Sequence, residues 1–202
     1  MLLRSCYIKG VREAGCDEAG RGPLAGPVFA AAVILPPTIG YTKLGHLLND
    51  SKQLTELERY YLRPIIQKTA VAYAVAQVDA PDIDRYNILN ASIMAMHRAL
   101  SQLDPQPEHI IVDGNRWKAY IPKDGVFEIP AQPFVKGDGM FMSIAAASIL
   151  AKTYRDDLMI KLDREFPQYH WRDNKGYPTK EHYEALKTYG PSPYHRMTFR
   201  LE

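Results

Sequence analysis

Short hydrophobic runs typical of β-strands alternate along this chain with stretches whose apolar residues recur at helix spacing. Strands are predicted at residues 11–18, 26–35, 71–75, 109–113 and 127–135. Helices are predicted at residues 55–68, 87–103, 141–166 and 179–189. The first two strands flank a glycine-rich turn, Ala19–Pro23, which predicts a hairpin. A hairpin followed by alternating helices and strands predicts an α/β fold, with helices packed on a layered sheet.

Composition limits the class of protein and its compartment. The chain has 202 residues, 46% of them hydrophobic and 24% charged, which fits one domain over residues 1–202 with a core over about 11–200. The net charge of +2 gives no sign of a polyanionic partner. The longest apolar run, residues 28–35, is far shorter than the roughly twenty residues of a membrane span. With only Cys6 and Cys16 and no signal peptide, we expect a soluble cytoplasmic protein with Cys16 buried.

Acidic residues stand where the predicted strands end. Asp17 and Glu18 precede the glycine-rich turn, Asp113 ends the fourth strand, and Asp138 follows the fifth. Ligand sites in open α/β sheets gather at strand ends, and clustered carboxylates favour hard divalent cations such as Mg²⁺ or Mn²⁺. Asp before Gly is also a common turn residue. Neighbours on a regular strand point to opposite faces, so Asp17 and Glu18 share a site only if the strand breaks there, and the Ala19–Gly20 turn is expected to supply that break.

A series of motifs resembles bacterial ribonuclease HII, in the order of that family, from about residue 11 to 200. The motifs are DEAGRGPLAGPV at 17–28, LNDSKQL at 48–54, IDRYNIL at 83–89, VDGN at 112–115, KGD at 136–138, AAASILAK at 145–152, KGYPT at 175–179 and HRMTF at 195–199. The resemblance implies a ribonuclease H-like five-stranded mixed sheet flanked by helices, followed by a helical C-terminal segment. It also implies a metal-dependent endoribonuclease that acts on RNA–DNA hybrids and on single ribonucleotides in duplex DNA, in ribonucleotide removal and primer processing.

The resemblance assigns roles to individual residues. The metal-binding and catalytic acids would be Asp17, Glu18, Asp113 and Asp138, holding two Mn²⁺ or Mg²⁺ ions. The substrate-binding residues would be Gly20, Arg21, Gly22 and Tyr177, which meet the ribose 2′-hydroxyl and its neighbouring sugar. This agrees with the chemistry, because two ions can stabilise both oxygens of an in-line displacement and glycines let the backbone approach a sugar. Sensing one hydroxyl distinguishes RNA from DNA.

Further residues carry weaker expectations. Ser51 and Lys52 precede a helix, where a phosphate is favourable. Contacts to the phosphate backbone are expected from Lys152, Arg155 and Lys175, although each could equally be a solvated charge. His182 is expected at the surface, His195 and Arg196 are expected to be structural, and Trp117 and Trp171 are expected to pack in the interior.

Three alternatives remain open at this point. Ribonuclease HIII usually carries an additional N-terminal domain, and only about sixteen residues precede Asp17. A DNA nuclease or junction resolvase of the same superfamily would not need the glycine turn together with Tyr177. A non-catalytic hybrid-binding module would not need all four acids. We expect a monomer, no membrane association and no clamp-binding tail after Phe199.

Overall fold

A computed structural model describes residues 2–201, and its centre is one mixed β-sheet. Five strands form the sheet: β1 (Glu13–Ala19), β2 (Val28–Ile34), β3 (Ala72–Val78), β4 (His109–Asp113) and β5 (Ala131–Phe134). Their order across the sheet is β3-β2-β1-β4-β5. The sheet confirms the five-stranded mixed architecture that the resemblance implies.

Strand direction decides which side chains share an edge of the sheet. β1 is antiparallel to β2, and β2 is antiparallel to β3, whereas β1 is parallel to β4 and β4 is parallel to β5. Cys16 on β1 pairs with Val112 on β4. The residues that follow them, Asp17 and Asp113, therefore leave the sheet side by side at the carboxyl ends of parallel strands.

Helices cover both faces of the sheet and form the C-terminal segment. They are α1 (Lys43–Leu47), α2 (Glu56–Thr69), α3 (Ala80–Tyr86), α4 (Ile88–Leu100), α5 (Met142–Glu165), α6 (Trp171–Asn174) and α7 (Lys180–Tyr189). Short 3₁₀ turns occupy Ile39–Tyr41, Gly137–Gly139 and Pro167–Tyr169. The helical C-terminal segment is thus also confirmed.

Two apolar layers hold the sheet between its helices. On one face, side chains such as Cys16 and Val112 pack against Met96 and Leu100 of α4. On the other face, α2 and α5 cover the alternate residues of β2. Gly15 brings α5 unusually close, because a Cβ at this position would lie 2.4 Å from the backbone N of Ile144. The absence of a side chain on β1 therefore sets the N-terminal part of α5 directly against the strand that carries Asp17.

Several local predictions are confirmed and others need correction. The Thr55–Glu58 capping box begins α2, and Thr179 caps α7. β5 is shorter than the predicted strand at 127–135. The small helices α1, α3 and α6 are not predicted by apolar periodicity, because they are too short to repeat such a pattern. No helix among residues 2–201 has both the length and the apolar character to cross a membrane.

Candidate active site

Four carboxylates lie around the carboxyl ends of the three neighbouring strands β1, β4 and β5. Asp17 and Glu18 are on β1, Asp113 is the last residue of β4, and Asp138 lies in the 3₁₀ turn that follows β5. The backbone N–H of Gly137 donates to Asp113 Oδ1 at 2.7 Å. This bond ties the turn carrying Asp138 to the end of β4.

Strand β1 stays regular through both of its acids. It pairs with β2 as far as Ala19, so the break expected at the Ala19–Gly20 turn comes after both acids rather than at them. The charge of Asp113 nevertheless raises the pKa of both acids. Burial and the negative charges of Glu18 and Asp113 hold the pKa of Asp17 well above its usual range. Burial, with Asp113 adding to it, also raises the pKa of Glu18 despite the opposing charge of Arg21. The regular strand therefore does not separate the two acids electrostatically.

Asp138 is a buried carboxylate whose Oδ1 accepts from the backbone N–H of Gly139 at 3.0 Å. It is 3% exposed, and burial together with the charge of Asp113 raises its pKa to about 6. Its Oδ2 atom is buried and has no hydrogen-bond partner among residues 2–201, and Lys52 Nζ is 3.8 Å away. A buried carboxylate oxygen without a donor is costly, and it fits an oxygen-seeking divalent cation.

The acids are close enough to repel one another but are not drawn into a tight cage. Among residues 2–201, no group of three or more His, Cys, Asp or Glu side chains is arranged closely enough to hold a metal ion as it stands. Protein donors engage all four acids instead. Arg21 Nη1 lies 3.3 Å from Glu18 Oε1, and the backbone N–H groups of Glu18, Gly137 and Gly139 donate to Asp17, Asp113 and Asp138 respectively. A cation would bring the carboxylates together by displacing such contacts.

The glycine-rich turn lies beside these acids with its carbonyls directed inward. Gly20 adopts a φ of +94°, a conformation that glycine tolerates at no steric cost. The Arg196 guanidinium donates to Gly20 O at 2.6 Å and to Arg21 O at 3.0 Å. No backbone carbonyl within residues 2–201 accepts from the N–H groups of Arg21 and Gly22. The turn therefore offers two exposed backbone donors to a ligand.

Tyr177 faces this turn from the C-terminal segment. A Cβ on Gly22 would lie 3.6 Å from Tyr177 Cε1, so the turn and the ring are neighbours. The tyrosine is 40% exposed. The backbone donors and an accessible aromatic surface thus border the same gap.

Known proteins that resemble this chain identify its family. The sequence model of the family described as Ribonuclease HII matches residues 14–202. The chain belongs to the ribonuclease HII family. Ribonuclease HII of Parabacteroides distasonis is 59% identical over 94% of this chain and 90% of that protein. The crystal structure of ribonuclease H2 from Pyrococcus horikoshii OT3 superposes with a TM-score of 0.77 at 28% identity, covering 94% of each chain.

The ribonuclease HIII alternative is disfavoured by the same comparisons. Bst-RNase HIII in complex with Mn²⁺ is similar in fold, with a TM-score of 0.72 at 21% identity. The match covers 95% of this chain but only 68% of that one. As a ribonuclease HII, the protein is a nuclease that hydrolyses the RNA strand of RNA–DNA hybrids.

The remaining predicted contacts of this ribonuclease HII fall into two groups. Burial alone would lower the pKa of Lys52, but the charges of Asp138 and its acidic neighbours raise it, which places Lys52 at the acid cluster. Ser51 is buried, and its hydroxyl lies 2.8 Å from that of Ser148.

The other two lysines form the second group. Lys152 donates to both carboxylate oxygens of Asp156 at 2.6 and 2.8 Å, and the ammonium of Lys175 donates to Arg172 O. Both lysines already have partners in the protein.

Two expectations are wrong. Arg155 is 1% exposed and cannot contact a phosphate backbone; it binds carbonyl oxygens of the protein instead. His182 is fully buried rather than at the surface, and its Nδ1 lies 3.0 Å from Tyr177 O. A helical pattern in α7 gave no sign of this contact, because the partner lies outside the helix. The structural role expected of Arg196 and the packing role expected of Trp171 are confirmed.

Proposed function

We propose that this ribonuclease HII also incises duplex DNA on the 5′ side of a single embedded ribonucleotide, leaving 3′-hydroxyl and 5′-phosphate ends. The observation that carries the proposal is the proximity of two features at one edge of the sheet. One is the cluster of four carboxylates, and the other is the glycine turn whose backbone donors face Tyr177. The first feature suits phosphodiester hydrolysis, and the second suits reading one sugar.

The carboxylates Asp17, Glu18, Asp113 and Asp138 would hold divalent ions, Mg²⁺ or Mn²⁺. The support is chemical: the donors are all oxygens, burial and mutual repulsion raise the pKa of three of them, and Asp138 Oδ2 has no partner. Two bound ions would stabilise both the attacking and the departing oxygen of an in-line displacement. Lys52 would then be released from Asp138 and would be available to a phosphate.

The turn and Tyr177 would supply the sugar selectivity. The exposed N–H groups of Arg21 and Gly22 can donate to a ribose hydroxyl or to the adjacent phosphate, and a backbone donor cannot swing away as a side chain can. Tyr177 presents an apolar ring with a polar tip, which suits a sugar packed against it. A 2′-deoxy sugar would leave these groups unmatched, and unmatched polar groups are a strong source of discrimination.

We further propose that the chain acts as a monomer of one domain in the cytoplasm, in ribonucleotide repair and primer removal. The support is the family match over residues 14–202 and the two unpaired cysteines, which suit a reducing compartment.

A direct test uses three labelled duplexes of identical sequence: all-DNA, DNA with one ribonucleotide, and a full RNA–DNA hybrid. We expect the second and third to be cut only in Mg²⁺ or Mn²⁺, with the second nicked once, 5′ to the ribonucleotide. Equal cutting of all three would favour a general nuclease. Binding without cutting in either ion would favour a hybrid-binding module.

Site variants refine the same test. Asp138→Asn should abolish cleavage of both ribonucleotide-containing substrates while binding persists. Tyr177→Ala should reduce incision at the single ribonucleotide more than cutting of the hybrid. Tyr189→Ala is the matched control, since Tyr189 is an exposed tyrosine on α7. If Tyr177→Ala and Tyr189→Ala behave alike, Tyr177 does not read the sugar.

A further inference from the structure

Two buried arginines lie behind the glycine turn, and neither has a carboxylate partner. Arg155 is 1% exposed and Arg196 is fully buried. Neither is among the arginines that form ion pairs within residues 2–201. Burial lowers the pKa of Arg155 to about 10 and that of Arg196 to about 9, and the charge of Arg155 adds to the effect on Arg196. Burying like charges together is costly, so the contacts they make require an explanation.

Within residues 2–201, every hydrogen bond of the two guanidinium groups ends on a backbone carbonyl oxygen. Arg196 binds the turn itself, through Gly20 O and Arg21 O, and also Gly26 O at 2.8 and 3.0 Å. Arg155 binds Pro27 O at 3.1 Å and Ala25 O at 3.0 Å, on the segment that leads from the turn into β2.

Arg155 also reaches the other side of the gap. Its Nη1 donates to Lys175 O at 2.8 Å, two residues before Tyr177. The next carbonyl, Gly176 O, accepts from the N–H of Leu24 at 2.8 Å. One guanidinium therefore joins the segment after the turn to the segment that carries the tyrosine, and Arg196 orients the turn between them.

We propose that Arg155 and Arg196 are positioning residues that set the gap between the glycine turn and Tyr177, and thereby the selectivity for a ribonucleotide. Held inward by these arginines, the carbonyls leave the N–H groups of the turn pointing outward. A planar guanidinium can bind several carbonyls in a fixed geometry, whereas the ammonium of lysine is a point charge on a flexible stem. This inference rests on the proposed reading of the sugar by the turn and Tyr177.

The test compares Arg196→Lys and Arg155→Lys with the wild type on the single-ribonucleotide duplex, on the all-DNA duplex and on the hybrid. Arg164→Lys is the control, because Arg164 is an exposed arginine on the same helix as Arg155. Circular dichroism and thermal melting establish that each variant is folded. The readout is the ratio of kcat/KM on the single-ribonucleotide duplex to the value on all-DNA, which is set at the detection limit where no cutting is seen. On the ribonucleotide duplex kcat and KM are determined separately.

We expect each of the two buried variants to lower this ratio by about tenfold or more, mainly through kcat, because misplacing reacting groups by about 1 Å costs on the order of 10²-fold. Arg164→Lys should leave it unchanged. A wild-type ratio near one would refute the proposed function itself. A high wild-type ratio retained by a folded Arg196→Lys or Arg155→Lys would overturn only the positioning role. If neither variant folds, the arginines serve the fold as a whole, and that outcome also overturns the positioning role.

Discussion

Gly20 is packed against the side chain of Arg155, and replacing it with alanine tests how tightly the turn is held. The added Cβ would lie 2.1 Å from Arg155 Nε and 2.4 Å from Cδ. The Nε atom is the one that donates to Pro27 O, so the side chain must move and that bond is lost. Alanine at a φ of +94° costs about 1–2 kcal/mol, and losing a charged hydrogen bond costs about 1.5–3 kcal/mol more. We expect Gly20→Ala to lower the free energy of unfolding by about 2.5–5 kcal/mol.

Gly10→Ala provides the matched control. Gly10 has a similar φ of +82°, but nothing lies within 4 Å of the Cβ position. Both substitutions restrict the unfolded chain alike, so the difference between the variants isolates the contact with Arg155. Urea denaturation followed by circular dichroism should show Gly20→Ala destabilised by about 1.5–3 kcal/mol more than Gly10→Ala. Equal destabilisation would refute the argument that the turn is fixed by the buried guanidinium.

Other perturbations test the acid cluster and the helix cap. Because burial and Asp113 raise the pKa of Asp138 to about 6, its ionised form destabilises the fold. Asp138→Asn should therefore melt at a higher temperature than the wild type above about pH 6, with the advantage vanishing toward about pH 4; an advantage that grows in acid would contradict this. Mg²⁺ or Mn²⁺ should raise the melting temperature of the wild type more than that of Asp138→Asn, and equal shifts would place the ion elsewhere. Thr55→Ala, which removes the capping box with Glu58, should cost about 1 kcal/mol in urea denaturation.

The sheet and its long helices follow from local patterns. His109–Asp113 is predicted with its observed bounds, because a run of β-branched residues is bounded by a glycine. The cap at Thr55 is read directly from its spacing to Glu58. The helix Ala80–Tyr86 cannot be predicted in this way, since its proline and two aspartates conceal any apolar stripe. Packing fixes this segment, because Ile83 is buried in the same core cluster as Met96 and Leu100, and such packing is not written in any single stretch of sequence.

The candidate site, like the fold, can be predicted only in part from the sequence. The four acids can be located because each stands at the end of a strand, and the fold brings strand ends together. The sequence does not reveal that Arg155 turns inward, since its position on a helix is compatible with either solvent or burial. It also does not reveal that His182 reaches Tyr177, because the distance between them is set by the loop before α7. Side-chain partners that lie on other elements are the part that sequence patterns leave open.

The contacts of Arg196 have a consequence for biosynthesis. Its guanidinium binds Gly26, which lies 170 positions earlier in the chain. A ribosome adds about 5–20 residues per second, so the interval of about 40 residues between Arg155 and Arg196 takes about 2–8 seconds to synthesise. During that time the chain already contains all four carboxylates and Arg155, but it does not yet contain Arg196, which binds the glycine turn. The nascent enzyme thus acquires its acids before the contacts that orient its selective turn.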